Sequence, residues 1–268
     1  MFVGTRTPQA EVALPGGDMT EGVVRVGDTV RRPVGRYGTA VHALLRHLAA
    51  VGFDRAPRLL GVDERGREIL TFLPGQVPTR PLPGYAVTDG TLAGLAELLR
   101  GYHDAVAGFV PPDGAKWAPG ATDDAEPELV GHCDLTPENV VFRDGRPWGL
   151  IDFDLARPTT RLFDAAVALR HWAPIADPVD RDPRQLDLDV GARLRLFCDA
   201  YGFAAADRRR LLEVSRLRFG RSYQAMRASA EAEGGPWARM WAAGAGERIR
   251  RAAAWLDANC DDLARHLL

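Results

Sequence analysis

Three side chains have the types and spacing that chemistry needs: Asp134, Asn139 and Asp152. The first two lie in the run HCDLTPENVVF (132–142), and after a hairpin-like gap the third lies in GLIDFDLA (149–156). Moving a γ-phosphoryl group requires in-line placement of donor and acceptor and neutralisation of negative charge, more than covalent help from the protein. Asp134, on a loop, is placed to accept or orient the proton of an acceptor hydroxyl. Asn139 offers an amide oxygen to a metal ion, and Asp152, closing an apolar strand run, offers a carboxylate to the Mg2+ that bridges nucleotide phosphates. The D-x-x-x-x-N spacing puts Asp134 and Asn139 on one side of a loop between short strands.

The rest of the composition removes competing chemistries. The only lysine is Lys116 and the only serines are Ser215, Ser222 and Ser229, so neither a GxxxxGK[ST] phosphate loop nor a GxSxG nucleophile elbow can be written. Cys133, Cys198 and Cys260 show neither paired nor metal-ligand spacing, as in a chain kept reduced. A formal net charge of -2 argues against general affinity for nucleic acid or anionic membrane. No apolar segment is long enough to span a bilayer and no cationic leader precedes the first Pro/Gly stretch, so the expectation is a cytoplasmic protein.

The elements that must position these residues fall into two parts. From Glu11, EVALPGG and VVRVGDTVRRPV read as three strands with Gly27-Asp28 as a hairpin turn. Gly16 and Gly17, followed by DMTEG (18–22), occupy the first turn, which reads either as an ordinary hairpin or as a place where backbone amides approach a phosphate. A helix follows, capped at Thr39, with Val41, Leu44, Leu45, Leu48 and Val51 at helical spacing and Gly52 as its stop. Two more strands, PRLLGVDE and EILTFLPG, complete a five-stranded, one-helix unit that ends at the Pro74-Gly75 connector. Beyond a proline-rich loop, a helix over 90–106 carries Leu92, Leu95, Leu98 and Leu99 on one face. Residues 111–128 read as an exposed loop, and after Thr160 the chain is mostly helical, with helices over 207–232 and 237–268. The seven arginines at 208, 209, 210, 216, 218, 221 and 227 read as a solvated helix face.

On these motifs, HCD with Asn139 and then IDFD, the chain resembles the aminoglycoside phosphotransferase and choline kinase branch of protein-kinase-like enzymes, whose motifs run H-G-D-x-x-x-x-N and I-D-x-x. The resemblance covers nearly the whole chain, including the Phe72 to Gly75 hinge, Tyr102-His103-Asp104 on the helix ahead of the loop, and Asp164 opening the helix after the metal motif. It implies an α+β, two-lobed fold: a small N-terminal lobe (1–74) of about five antiparallel strands plus one helix, and a larger, mostly helical C-terminal lobe (75–268) for catalysis and the acceptor. It further implies Mg2+, with ATP or GTP as donor and a small hydroxyl-bearing molecule as acceptor. In that frame Asp134 is the catalytic base, and Asn139 and Asp152 are metal ligands. Gly16, Gly17, Thr20, Arg32, Thr71 and Leu73 face the nucleotide, and His132 and Asp164 support the loop. Asp154 is either a further carboxylate near the metals or a strand-end turn residue.

Two departures stand out. Such kinases place a lysine on the third strand, paired with a glutamate on the next helix. Here strand alternation puts Arg32 in the lysine position, the helix contains no acid, and His42 stands near the expected glutamate. Arginine grips phosphate as a planar fork and is no conservative exchange, so two outcomes follow: an active enzyme with its own grip, or a degenerate binding or immunity protein without transferase activity. Cys133 replaces the usual glycine. For the acceptor, Asp154 and the acidic connector with Asp177 and Asp180 are the candidates for holding a cationic substrate, with surface solubility as the other reading of the connector.

Overall fold

Runs of β-branched and aliphatic residues, cut by turn-forming pairs, build the first sheet. The computed structural model describes residues 10–14 and 22–267. Strands β1 (Val12–Ala13), β2 (Val24–Val26), β3 (Thr29–Pro33), β4 (Leu59–Val62) and β5 (Arg67–Thr71) form one antiparallel sheet in the order β1-β2-β3-β5-β4. Gly27-Asp28 turns β2 into β3, with Gly27 at φ 59°. In the β3–β5 ladder Arg32 lies opposite Glu68. Residues directly opposed in an antiparallel pair share a face, so this register alone brings the two side chains together.

Helix α1 (Gly38–Ala50) buries Val41, Leu44, Leu45 and Leu48, as the spacing predicts, and ends at Gly52 with φ 81°. Its start corrects the sequence expectation: Thr39 is inside the helix, and Tyr37 holds the cap position without a side-chain hydrogen bond. Val51 is exposed at the helix end. Helix α2 (Asp89–Val106) is capped by the Thr88 hydroxyl, which accepts from the Thr91 amide, and buries the four predicted leucines. Residues 111–128 contain no helix or strand, yet they are not the exposed loop expected, because Ala118, Ala121 and Asp123 are buried. Asp123 accepts a hydrogen bond from the Thr160 hydroxyl at 2.7 Å, which pins the segment to the start of the next helix.

Two short ladders then carry the motifs. β6 (Leu129–Gly131) pairs with β9 (Arg157–Thr159), and β7 (Val140–Arg143) pairs with β8 (Arg146–Leu150). The gap between β7 and β8 is a two-residue turn, Asp144-Gly145, both at positive φ, the geometry that matches strand twist in a hairpin. The loop before β7 and the loop after β8 therefore emerge side by side. The remainder is α3 (Arg161–Trp172), α4 (Val190–Tyr201), α5 (Ala205–Ala232), α6 (Gly235–Ala242) and α7 (Ala245–Leu267). The last stretch, expected as one helix from Trp237, breaks at Gly244, whose φ of 83° is outside the helical region. A single core joins α1 and Leu70 of the sheet to the motif strands and to α2, α3, α4, α5 and α7. The result is an α+β fold with one five-stranded antiparallel sheet and a mostly helical remainder.

Candidate active site

Asp164, in the first turn of α3, is fully buried and organises the loop that carries Asp134. Its carboxylate accepts from two consecutive amides, His132 N–H at 2.8 Å and Cys133 N–H at 2.8 Å, and from His103 Nε2 at 3.0 Å. On its other side, His103 Nδ1 is hydrogen-bonded to the Tyr201 hydroxyl at 2.6 Å. Burial works to raise the Asp164 pKa, but the hydrogen bond and charge of His103, with the loop amides, hold it below the usual carboxylate value. Packing here leaves no room for a side chain at Gly131, whose Cβ would lie 2.9 Å from the Asp164 carboxyl carbon.

Pointing two successive amides at one carboxylate bends the chain, and Cys133 takes φ 60° to allow it. That conformation suits glycine, so the cysteine stores strain at the loop. Its thiol is buried, which pushes its pKa up to about 12 and leaves it neutral and unreactive. His132 Nε2 donates to the Ile151 carbonyl at 2.9 Å and so ties the Asp134 loop to the Asp152 loop.

Within this frame Asn139 Nδ2 donates to both the Asp134 carbonyl at 2.9 Å and Asp134 Oδ2 at 2.8 Å. Both amide hydrogens are thereby used, and the Asn139 Oδ1 is the atom left to face a cation. Burial pushes Asp134 up to about 6; the Asp152 charge adds to this, while His132 and the Asn139 hydrogen bond oppose it. Asp152, at φ 64°, is the second non-glycine residue held in the left-handed region within the motifs. No group of three or more His, Cys, Asp or Glu is arranged to cage a metal among the described residues. The Asn139 and Asp152 oxygens nevertheless fit Mg2+, which binds through one or two protein ligands and completes its shell with water and substrate phosphates.

The sheet supplies the opposite charge. Arg32 Nη1 lies 3.1 Å from Asp152 Oδ1, and Arg32 Nη2 lies 2.5 Å from Asp154 Oδ1. Its Nε donates to Glu68 Oε1 at 2.5 Å, and Glu68 Oε2 meets His42 Nε2 at 2.6 Å. Burial opposes the charge on Arg32, but the carboxylates of Asp154, Asp152 and Glu68 hold the guanidinium protonated. Asp154 is itself raised, by burial first and then by Asp152, with Arg32 opposing. A carboxylate partner for the third-strand cation thus exists, although it comes from β5 and not from α1. Glu68 is 1% exposed, and sequence reasoning passed over it. Its signal was present in the alternation of REILT, which sets Glu68 on the same face as Leu70. Arg31 and Arg25, the other arginines of the β2–β3 hairpin, bond Thr29 and the Gly27 carbonyl instead.

Residues 113–214, which contain both motifs and Asp164, match the phosphotransferase enzyme family. Over 208 residues the chain is 35% identical to the trifolitoxin immunity protein of Rhizobium leguminosarum bv. trifolii, covering 74% of this chain and 76% of that one. The chain belongs to the phosphotransferase enzyme family. Another relative is a homoserine kinase of Phenylobacterium zucineum, 32% identical over 173 residues, which is 50% of this chain and 52% of the kinase. In fold, this phosphotransferase-family protein resembles the crystal structure of a choline/ethanolamine kinase family protein from Mesorhizobium loti. That match has a TM-score of 0.58 and 17% identity over 99% of this chain and 92% of the other. The two-lobed, kinase-like architecture implied by the motifs is therefore the fold of this family member.

Of the remaining residues singled out from sequence, Gly16, Gly17 and Thr20 lie outside the described residues. Thr71 accepts from the Arg58 amide through its hydroxyl at 2.9 Å. Leu73 follows in the connector, which is tied to β7 by reciprocal hydrogen bonds between Gln76 and Phe142 at 2.9 and 2.7 Å. The acidic connector is engaged within the protein: Asp177 caps a 3-10 turn through the Val179 amide, and Asp180 is held by Arg251 at 2.7 and 2.8 Å.

The arginine-rich helix α5 of this phosphotransferase-family chain departs from the solvated face expected of it. Arg216, Arg221 and Arg227 do pair with acids, Asp257, Asp124 and Glu231. Arg218 instead is 9% exposed and faces inward with Leu211, Ser215 and Phe219. The helical period could have shown this, because 211, 215 and 218 fall on one stripe.

Proposed function

We propose that this protein is a Mg2+-dependent small-molecule phosphotransferase that moves the γ-phosphoryl group of ATP or GTP to a hydroxyl. The observation that supports this most is the convergence of Asp134, Asn139, Asp152 and Arg32 from three separate segments, with Asn139 bonded to Asp134 and Arg32 bonded to Asp152. In this reading Asp134 orients the acceptor hydroxyl and takes its proton, acting as a general base whose removal costs about 10²- to 10⁴-fold in rate. Asn139 and Asp152 hold the metal, whose chemistry is to neutralise phosphate charge. Arg32, positioned by Glu68 and His42, steadies the nucleotide phosphates as a planar fork. Thr71 and Leu73 border the nucleotide at the connector, and His132 and Asp164 keep the loop in shape. The reaction belongs in the cytoplasm, where nucleoside triphosphates are supplied. In keeping with that, no helix among the described residues is long and apolar enough to cross a membrane.

A second reading is favoured by one observation, the 35% identity to a trifolitoxin immunity protein over about three quarters of both chains. It makes the protein a binder that confers immunity by sequestering a small toxin, without transfer. Thermal-shift measurements with ATP and GTP, with and without Mg2+, separate the two. Stabilisation that requires both nucleotide and metal is expected, and its absence would leave the binding protein as the reading to keep. Given binding, Asp134→Asn is expected to lose transfer by at least about 10²-fold while keeping nucleotide affinity; undiminished turnover would mean that another group takes the proton.

A further inference from the structure

Two guanidinium groups near the catalytic loop are only partly satisfied by the described residues. Arg170, at the end of α3, and Arg218, on α5, each have a buried Nη1 with no hydrogen-bond partner among the described residues. They flank the same ring: Arg170 lies 5.3 Å and Arg218 5.6 Å from the centroid of Phe219. The end of α3 is fixed to the catalytic loop by the Trp172 indole, which donates to the Leu135 carbonyl at 2.8 Å, one residue from Asp134. The Asp134 carboxylate is near enough to favour the charge on Arg218, which Arg170 opposes; on Arg170 the Asp180 carboxylate favours the charge, and Arg248 and Arg80 oppose it. Arg80 also reaches Glu138, beside Asn139, at 3.4 Å.

Burial pushes Arg218 down to about 9, with Arg170 adding to it, and pushes Arg170 down to about 10, with Arg248 and Arg80 adding to it against Asp180, so both stay charged at neutral pH. His171 next to them is driven well below its ordinary value by burial and the same arginines, so it is neutral and can accept or donate. An unpaired buried cation costs several kcal/mol in principle, and a protein keeps such a charge when something else pairs with it. An aminoglycoside-like or choline-like cation would be repelled here, and the connector acids, Asp177 and Asp180, are already engaged.

We propose that Arg218 and Arg170 form the anion-recognising half of the acceptor site, so that the hydroxyl presented to Asp134 belongs to a small acid carrying a carboxylate or a phosphate. This rests on the phosphotransferase reading. In the transfer, the acceptor oxygen forms the new bond to the γ-phosphorus and the bond from that phosphorus to the bridging oxygen breaks. The acceptor proton passes to Asp134, and the nucleoside diphosphate leaves. The planar guanidinium pair fixes the far end of the acceptor by charge-assisted hydrogen bonds and so sets the hydroxyl in line.

The test uses the full chain with MgATP and MgGTP, following nucleoside diphosphate release with glycerate, homoserine and glycerol 3-phosphate against choline and kanamycin. Turnover with the anionic or carboxylate-bearing set and none with the cations is expected; the carboxylate and phosphate members tell the two oxyanions apart. Arg218→Met and Arg170→Met should each raise the acceptor KM about 10- to 100-fold, as loss of a charge-assisted bond does. Nucleotide stabilisation and kcat should change little. Turnover confined to cations overturns the proposal, and so does a fall in kcat with unchanged acceptor KM, which would place these charges on the transferring phosphoryl group. If no compound turns over, stabilisation by acetate or inorganic phosphate, read as a thermal shift, should still be present in the wild type and lost in Arg218→Met. Equal shifts in both overturn the proposal. Failure of MgATP to bind would instead sink the phosphotransferase reading, and the phosphate and acetate shifts would still report on the arginine pair.

Discussion

Arg32 and Arg218 are almost equally inaccessible, at 8% and 9% exposure, yet their surroundings are opposite. Arg32 sits among Glu68, Asp152 and Asp154, which hold it charged against the cost of burial. Arg218 has Arg170 beside it and no hydrogen bond to its buried Nη1 among the described residues. The first is a cation matched from within, so the protein itself benefits from it. The second has burial and Arg170 against it and the Asp134 charge in its favour, and on the proposal above a ligand completes its compensation. Burial of a charge therefore says little until its partners are counted.

The same substitution at the two sites tests that contrast most directly. Arg32→Met leaves Glu68 buried without its strongest partner and should destabilise the fold by about 3 kcal/mol in urea unfolding, the usual scale for breaking a buried pair from one side. A change near zero would mean that the Arg32 cluster is not a structural asset. Next in size is a pH effect at Asp134, whose folded pKa of about 6 exceeds the ordinary 3.8. Between those values the folded state binds more protons than the unfolded chain, so stability should fall as pH rises from about 4 to about 6. For a half-buried group the change should be about 2 kcal/mol. Asp134→Asn should flatten that slope when thermal midpoints are measured in chelator without nucleotide. Asp164 does not interfere, because its lowered pKa confines its loss of stabilisation to pH below the ordinary carboxylate range.

Smaller again, and of opposite sign to Arg32→Met, Arg218→Met should stabilise the empty protein by about 1 kcal/mol, since it removes an unpaired buried charge and fills the space with an apolar chain. A loss of several kcal/mol would show that Arg218 has an internal role. The smallest effect is expected from Asp180→Asn, which breaks a partly exposed pair with Arg251 at a cost below about 1 kcal/mol. It should leave the acceptor KM unchanged. A raised KM for a cationic acceptor in that variant would restore the acidic connector as the substrate-binding surface.

Much of the site was legible because its signals are local. Asp134 and Asn139 are joined by a hydrogen bond spanning five residues, and the Asp144-Gly145 turn delivers Asp152 next to them. Alternation along β3 was enough to set Arg32, and not Arg31, toward the motif carboxylates. What escaped notice depended on partners remote in sequence. Glu68 meets Arg32 only through the β3–β5 register, and the strain at Cys133 follows from the Asp164 clamp. The helix caps shifted by a residue or two, as they do when tertiary packing decides the first turn.

The sequence by itself determined the chemistry: an ordered set of acid, amide and acid within 19 positions, on a chain with one lysine, can be little other than a phosphoryl-transfer site without the usual lysine. Only the tertiary structure decided how the charges are shared out. Seven arginines on α5 look alike in the sequence, and packing of α5 against α3 turned one of them, Arg218, inward beside Arg170. The physical reason is that a charge is defined by its neighbours, and at the Asp134 loop those neighbours come from segments that meet only when the chain folds.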